Sequence, residues 1–462
     1  MTAAAAPQGT PDAGPGAAAP APARPDVVCL GESMAAFRPA AERERLADAA
    51  LFARGIGGAE SNVACALAAA GHRAAWVSRV GADAFGDHLV AAIAAYGVDV
   101  SAVQRDPARP TGVYFRTAGE RSVGLPAPPP AAGGTPPSEA PSEAPSEAPS
   151  EVLSEAVSEA LSEVLYYRAG SAASAMSPAL VRRATAWSGR VLHLTGITAA
   201  LSAGCLALLR ALTEHRPGRP FVSFDVNYRV ALWRSAPDGP AVLASLARRS
   251  DLVFVGEDEA EAAWGLHGPA AIRAALPEPR ILVVKQGAAG ATAYVRADAE
   301  GRSAGPPTAP YSTAPPAAPT PYADAVVPVP APSVDVVAPV GAGDAFAAGF
   351  LSGILRGLGI EQCLRHGHLM AAAALTVPGD LAAPPRREHA DRLAALAPAA
   401  WGRLRLGPGW TEPAAAPAAE PTTEPAAEPA PVPGEPAPAP RTESGGPRRT
   451  AAAPASAKER TP

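Results

Sequence analysis

The sequence predicts an α/β protein whose mostly parallel sheet is covered by helices on both faces. Three observations lead there. Short β-branched runs alternate with Ala- and Leu-rich stretches of helical character, the pattern of a parallel sheet. Glycine-rich turns, such as Gly55-Ile56-Gly57-Gly58 and Gly341-Ala342-Gly343, stand at the joints. Four Pro/Ala/Ser/Glu-rich tracts, 1–25, 119–163, 301–332 and 411–462, hold most of the 55 prolines. Such tracts bury too little apolar surface to offset ordering entropy. Roughly 300 residues remain, enough for one large domain with a sizeable core.

In chain order, residues 1–25 read as a disordered leader and 26–410 as the folded body. Val27-Val28-Cys29-Leu30 is a buried strand, and Gly31-Glu32 turns out of it. After the 55–58 glycines, Val63 to Ala70 reads as a helix stopped by Gly71. Ala74 to Val80 is the next strand, and Gly81 to Gly86 leads into a helix ending near Tyr96-Gly97. Thr111 to Arg116 and Leu165 to Arg168 read as strands. Between them lies a low-complexity insert that ends in a Ser-Glu-x-x repeat, with one glutamate every four residues. It reads as a solvated spacer. Strands follow at Val191–Leu194, Phe221–Asp225, Asp251–Val255 and Ile281–Lys285, with helices at Leu201–Glu214 and Asp258–Trp264. Gln286-Gly287-Ala288-Ala289-Gly290 is a turn from which Ala291–Val295 returns antiparallel. Beyond the 301–332 insert, Val334 to Val337 reads as a strand leading into Pro339-Val340-Gly341-Ala342-Gly343-Asp344. Helices follow at Ala345–Leu355 and Glu361–Val377, and a Pro-rich disordered tail begins after Trp410.

The net charge of −5 advertises no basic face for nucleic acid. Four widely spaced cysteines, with no C-x-x-C pair, read as small buried hydrophobes in a reducing compartment. The start lacks the basic and Leu-rich parts of a secretory signal. No run free of proline and charge is long enough to span a membrane. The expectation is a cytoplasmic protein without nucleic-acid or membrane partners.

The segment that carries chemistry is Gly341 to Asp344. Gly-Ala-Gly leaves backbone amides uncovered at a helix start, where unpaired N–H groups attract phosphate oxygens. A carboxylate, Asp344, stands in that first turn. Amides for an anion and a carboxylate for a proton are what phosphoryl transfer to an alcohol needs.

Two separated stretches resemble the signatures of the PfkB, or ribokinase-like, sugar kinases. One is the Gly341–Asp344 run. The other holds Gly57-Gly58, Asn62, Gly71, Val80-Gly81, Asp83, Gly86 and Gly97-Val98. Within that family the likeness is to 2-dehydro-3-deoxygluconate (KDG) kinases, through Gly57-Gly58-Ala59-Glu60-Ser61-Asn62, Thr111-Gly112-Val113-Tyr114, Tyr166-Tyr167-Arg168 and Asp225-Val226-Asn227-Tyr228-Arg229. The resemblance implies a ribokinase-like three-layer sandwich with a small β-lid that includes strands 111–117 and 164–168. It implies ATP and Mg²⁺ as cofactors and a sugar acid as substrate, and it leaves a homodimer through the lid open.

The resemblance gives roles to individual residues. Asp344 is the general base, and Gly341, Ala342 and Gly343 form the anion hole. Gly57, Gly58, Ala59, Glu60, Ser61, Asn62, Tyr114, Tyr166, Tyr167, Arg168, Arg229 and Asp380 belong to the sugar side. Arg168 and Arg229 matter most there, since guanidinium groups bind carboxylates in a bidentate fork; their alternative is surface charge. Asn227, Lys285, Gly287, Gly290 and His368 belong to the ATP side. Gly287 has a structural turn as its lesser alternative, and His368 reads equally as a helix-surface histidine. Glu259 matches the glutamate that orders Mg²⁺ through water. Two departures stand out. Ala338 replaces an acidic residue associated with a monovalent cation, so that cation is in doubt. Gly256 replaces an asparagine. The activity implied is ATP-dependent conversion of KDG to its 6-phosphate. The alternatives are a fructokinase or ribokinase, or a non-catalytic sugar-binding regulator of the same fold.

Overall fold

A computed structural model describes residues 24–41, 44–117, 164–234, 236, 238–296 and 324–412. The expected spacer repeat, nearly all of the leader and tail, and most of the 301–332 insert lie outside the described residues.

The main sheet has eight strands. In spatial order they are Ala325–Val329, Ala291–Val295, Ile281–Lys285, Leu252–Gly256, Phe221–Asp225, Val191–Thr195, Val27–Leu30 and Ala74–Val77. The six from Ile281–Lys285 to Ala74–Val77 pair in parallel, and the first two add antiparallel at one edge. Alternate residues feed opposite cores. Val27, Cys29, Phe221, Phe254 and Val283 face one layer of helices; Val28, Leu30, Phe224, Val253 and Val284 face the other. Burial on both faces is why these strands read as continuous apolar runs. The first layer includes Ala59–Ala69, Ala342–Arg356 and Ile360–Leu375; the second includes Ala203–Leu212 and Gly239–Arg248. All four cysteines are buried and unpaired.

A separate four-stranded sheet contains the two strands expected for the lid, in the order Phe52–Gly57, Met34–Pro39, Val113–Arg116, Val164–Tyr167. The last two pair antiparallel, with Tyr114 opposite Tyr166. Tyr114 and Arg116 turn inward and are buried, while Phe37, Phe52, Phe115 and Tyr167 form an aromatic cluster on the other face. Tyr167 is 62% exposed.

Several expectations need correction. The Val334–Val337 run is not a sheet strand. Only Ser333–Val334 pairs, with Arg405–Leu406, and Val336 and Val337 are exposed. The amides of Val337 and Ala338 instead donate to the carbonyl of Leu375. The edge strand Ala325–Val329 comes from inside the tract assigned to the second insert. Its Pro328 is tolerated because an edge strand leaves one side unpaired. The expected strand 74–80 is two, Ala74–Val77 and Arg79–Gly81, which join different sheets. The helix expected from Val63 begins at Ala59, so Glu60, Ser61 and Asn62 lie in its first two turns. The lid strands Met34–Pro39 and Phe52–Gly57 were not anticipated.

Candidate active site

Helix Ala342–Arg356 starts at Gly341, whose φ of 75° is left-handed. A Cβ there would also fall 2.3 Å from the carbonyl oxygen of Asp380. Both facts require glycine. The Lys285 ammonium reaches this helix start, 3.6 Å from where a Cβ on Gly343 would stand. Asp344 is in the first turn, and its Oδ2 accepts a hydrogen bond from Asn62 Nδ2 at 2.9 Å. Burial pushes the Asp344 carboxyl up to about 7; the Asn62 bond opposes this, the Asp225 charge adds to it, and Arg229 and Lys285 oppose it. A carboxyl near neutrality is suited to take a proton at physiological pH.

The C-terminal ends of three neighbouring parallel strands supply the charged groups beside this helix start, which is where open α/β sheets hold ligands. Lys285 Nζ donates to both oxygens of Asp225, at 3.1 and 2.9 Å. Burial raises the Asp225 carboxyl while Lys285 lowers it. Lys285 stays above its ordinary range, because Asp225, Glu259 and Asp344 outweigh its burial. Arg229 Nη1 pairs with Glu259 Oε1 at 3.3 Å, and Glu259 Oε2 accepts from the amide of Gly256 at 2.9 Å. Gly256 thus keeps a role through its backbone. Asn227 is buried at φ 42°, and its Oδ1 has no hydrogen-bond partner among the described residues. Sequence reading missed Asp225 as a site residue, although it ends a strand whose C-terminus carries the conspicuous Asn227 and Arg229.

On the lid side, Gly57 and Gly58 allow close packing. A Cβ on Gly57 would fall 2.1 Å from Tyr114 Oη, and one on Gly58 would fall 2.3 Å from the carbonyl of Glu32. Tyr114 Oη donates to Asp380 Oδ2, and Arg116 Nη2 donates to Asp380 Oδ1 at 2.8 Å. Asp380 therefore ties the small sheet to the start of helix Ala342–Arg356, since its own carbonyl packs on Gly341. Tyr166 stacks on Tyr114, with ring centroids 5.6 Å apart. Arg168 lies over Tyr166 and pairs with Glu32, which also accepts from Ser171 Oγ at 2.5 Å.

The structure redistributes several expected sugar- and ATP-side residues. Glu60 is fully buried and accepts from Thr195 and Thr198 hydroxyls at 2.8 and 2.6 Å. Burial raises it to about 7. Its carboxyl packs on Gly31, behind the helix start. Ser61 is spent on Ser33 and the Gly58 carbonyl, and Ala59 is core. His368 is not on the helix surface. It is buried against Phe346, with Nε2 3.2 Å from the Val329 carbonyl. Burial lowers it to about 4, so it is a neutral core histidine. Gly290 packs against the Val329 carbonyl, whereas Gly287 is exposed in the turn. Tyr167 faces away from Tyr114, on the outer face of the lid. Glu32 and Arg116 gave no sequence signal, because the partners that define them, Arg168 and Asp380, are distant in the chain.

Among the described residues no group of three His, Cys, Asp or Glu could hold a metal ion. A Mg²⁺ ion here would take most of its ligands from phosphate and water, as this ion commonly does. No described helix is long and apolar enough to cross a membrane. Ala338 is buried and offers no carboxylate to a monovalent cation.

Comparison with known proteins converges on the same chemistry. The model of the pfkB family of carbohydrate kinases matches residues 24–201, 163–315 and 317–387, and the chain belongs to that family. Its structure is that of an ATP-dependent carbohydrate kinase. A 2-dehydro-3-deoxygluconokinase of Bacillus subtilis is 31% identical over 367 residues, 79% of this chain and 93% of that relative. One of Thermoproteus tenax is 29% identical, over 81% of this chain and 95% of the relative. Fructokinase-2 of Solanum lycopersicum is 24% identical over 58% of this chain and 72% of its own length. Among solved structures, a PfkB protein of Polaromonas sp. JS666 superposes with a TM-score of 0.57 at 28% identity, covering 80% of this chain and all of that one. An E. coli protein described as a ribokinase II and solved with ATP and Mg²⁺ shares the fold, with a TM-score of 0.59 at 19% identity over 80% of this chain and 98% of its own.

Proposed function

We propose that the protein phosphorylates KDG at its 6-hydroxyl with ATP, with Asp344 as the general base. The observation that carries this reading is the Asp344 carboxyl, held by Asn62 beside the amides of the anion hole at a pKa of about 7. Asp344 accepts the hydroxyl proton as the oxygen attacks the γ-phosphorus. The bond from that phosphorus to the bridging oxygen breaks, and ADP leaves with the electron pair. The amides of Gly341, Ala342 and Gly343 and the Lys285 ammonium offset charge on the moving phosphoryl group. Glu259, whose oxygens are engaged by Arg229 and the Gly256 amide, would hold Mg²⁺ through water, and the ion would supply positive charge to offset that of the phosphates. Asn227 Oδ1 and the exposed Gly287 turn serve the nucleotide.

The sugar-acid assignment rests on the two KDG-kinase relatives and on Arg168 and Arg229, either of which suits a carboxylate. One observation favours a neutral sugar as second reading: Glu32 already occupies Arg168, and fructokinases are among the relatives. A coupled ADP-release assay on KDG, fructose and ribose decides between them. The proposal expects the highest kcat/KM on KDG. Preference for fructose would overturn the substrate, and no turnover on any of the three would favour a regulator that kept the fold.

A further inference from the structure

Away from the catalytic groups, a cleft of about 420 Å³ opens between the ends of helices Ala59–Ala69 and Ala342–Arg356 and the segment 384–390. Its size falls within the ordinary range for small-ligand sites. Ser352 and Arg356 on its wall are eight and twelve residues beyond Asp344 on one helix, or roughly 12 and 18 Å along it. It is therefore a separate place from the anion hole.

The charge of the wall is one-sided. Arg356, Arg386 and Arg387 line it and no carboxylate does, in a chain whose net charge is −5. Three features show how these cations are held. Arg356 Nη2 donates to both oxygens of Asp391, at 2.7 and 2.8 Å, and His366 Nε2 lies 3.1 Å from the same carboxylate. Arg356 is thus oriented from behind and largely neutralised. Arg387 donates to the carbonyl of Ala70 at 3.1 Å, which places its guanidinium over the end of helix Ala59–Ala69. Arg386 has no side-chain partner among the described residues. It follows Pro384-Pro385, whose rings fix φ and narrow its range of positions. Two arginines without a carboxylate partner among the described residues therefore line a cleft whose wall also holds apolar Leu369 and Met370.

We propose that this cleft is a second ligand site, for a small metabolite carrying two or more oxyanion charges. Guanidinium forks match phosphate and carboxylate alike, so the shared chemistry is a compact polyanion with a short carbon body. The site belongs to the folded body and does not depend on which sugar the enzyme uses.

The test is calorimetric titration of the full chain with pyrophosphate and, separately, with citrate, at fixed ionic strength and without nucleotide, sugar or Mg²⁺. The parent is expected to bind at least one of them, and the stronger of the two tells whether phosphate or carboxylate is preferred. Arg386→Ala and Arg386→Glu, at an exposed position, are expected to keep the parent Tm in the absence of anion. Each should weaken binding by about 10-fold or more. Arg387→Ala should do the same. Absence of binding by the parent overturns the proposal. So does binding that the Arg386 and Arg387 variants leave unchanged, which would assign it to the anion hole at Gly341.

Discussion

Around Gly341 the site consists of backbone amides and a carboxylate that one short segment supplies. The small sheet is instead tied down by ion pairs between segments far apart in the chain: Arg168 with Glu32, and Arg116 with Asp380. The first region depends on local geometry, a left-handed glycine and a helix start. The second depends on tertiary assembly. Loss of function should therefore look different on the two sides. Damage to the anion hole should slow chemistry in a protein that stays folded. Damage to the lid pairs should appear first in stability or in substrate affinity.

The largest effect is expected at Asp344. Asp344→Asn should lower kcat by about 10²–10⁴-fold, the usual scale for loss of a general base, while ATP binding survives. The sign of the pH dependence follows from the raised carboxyl. Only the ionised form accepts a proton, so kcat/KM of the parent should rise as pH increases through about 7. The variant should lack that rising limb. Rates measured by ADP release on both sides of neutrality check both statements. A variant within a few fold of the parent would remove Asp344 from the chemistry.

Next comes the lid anchor. Arg116 and Asp380 are both buried, and taking away one member of a buried pair typically costs about 3–5 kcal/mol. Arg116→Ala should therefore lower stability by that order in urea unfolding, with Asp380 left to Tyr114 alone. A loss below about 1 kcal/mol, the scale of an exposed ion pair, would mean that the lid is held by its aromatic packing. The contrast between the two regions would then be weaker than drawn here.

The same contrast explains what the sequence made legible. Strand positions Val27–Leu30, Phe221–Asp225 and Ile281–Lys285 were readable because burial on both faces leaves an uninterrupted apolar run. Gly341 to Asp344 was readable because its chemistry is contiguous. Met34–Pro39 was not, because its Ala-Ala-Phe-Arg run carries little β-branched signal. The Val334–Val337 run misled for the opposite reason. It is β-branched, but what fixes its backbone is the carbonyl of Leu375, at the end of a distant helix. His368 was misplaced because a histidine on a helix gives no local sign of which neighbours will cover it. Glu60 looked like a sugar ligand from its place beside Asn62. Two residues along a helix turn a side chain by about 200°, and that rotation sends Glu60 to Thr195 and Thr198 while Asn62 meets Asp344.

The smallest of these effects, and the most discriminating one, concerns Arg168. The sequence suggests that this guanidinium reads the substrate carboxylate, whereas in the structure it is paired with buried Glu32. The two statements are compatible if a sugar acid shares or displaces Glu32. A charge-assisted hydrogen bond contributes about 1.5–3 kcal/mol, or roughly 10- to 100-fold in affinity. Arg168→Ala should then raise KM for KDG by that factor and leave kcat nearly unchanged, because the carboxylate is remote from the reacting hydroxyl. The variant also strands Glu32, and that cost falls on every substrate alike. Glu32→Gln separates the two. It relieves Arg168 of a competing anion, so KM for KDG should fall or hold while KM for fructose does not improve. The measurement is kcat and KM on both sugars for the parent and the two variants. Equal losses on KDG and fructose in Arg168→Ala, with no selective gain in Glu32→Gln, would make Arg168 a strut of the lid. The sugar-acid assignment would then rest on likeness to the relatives alone.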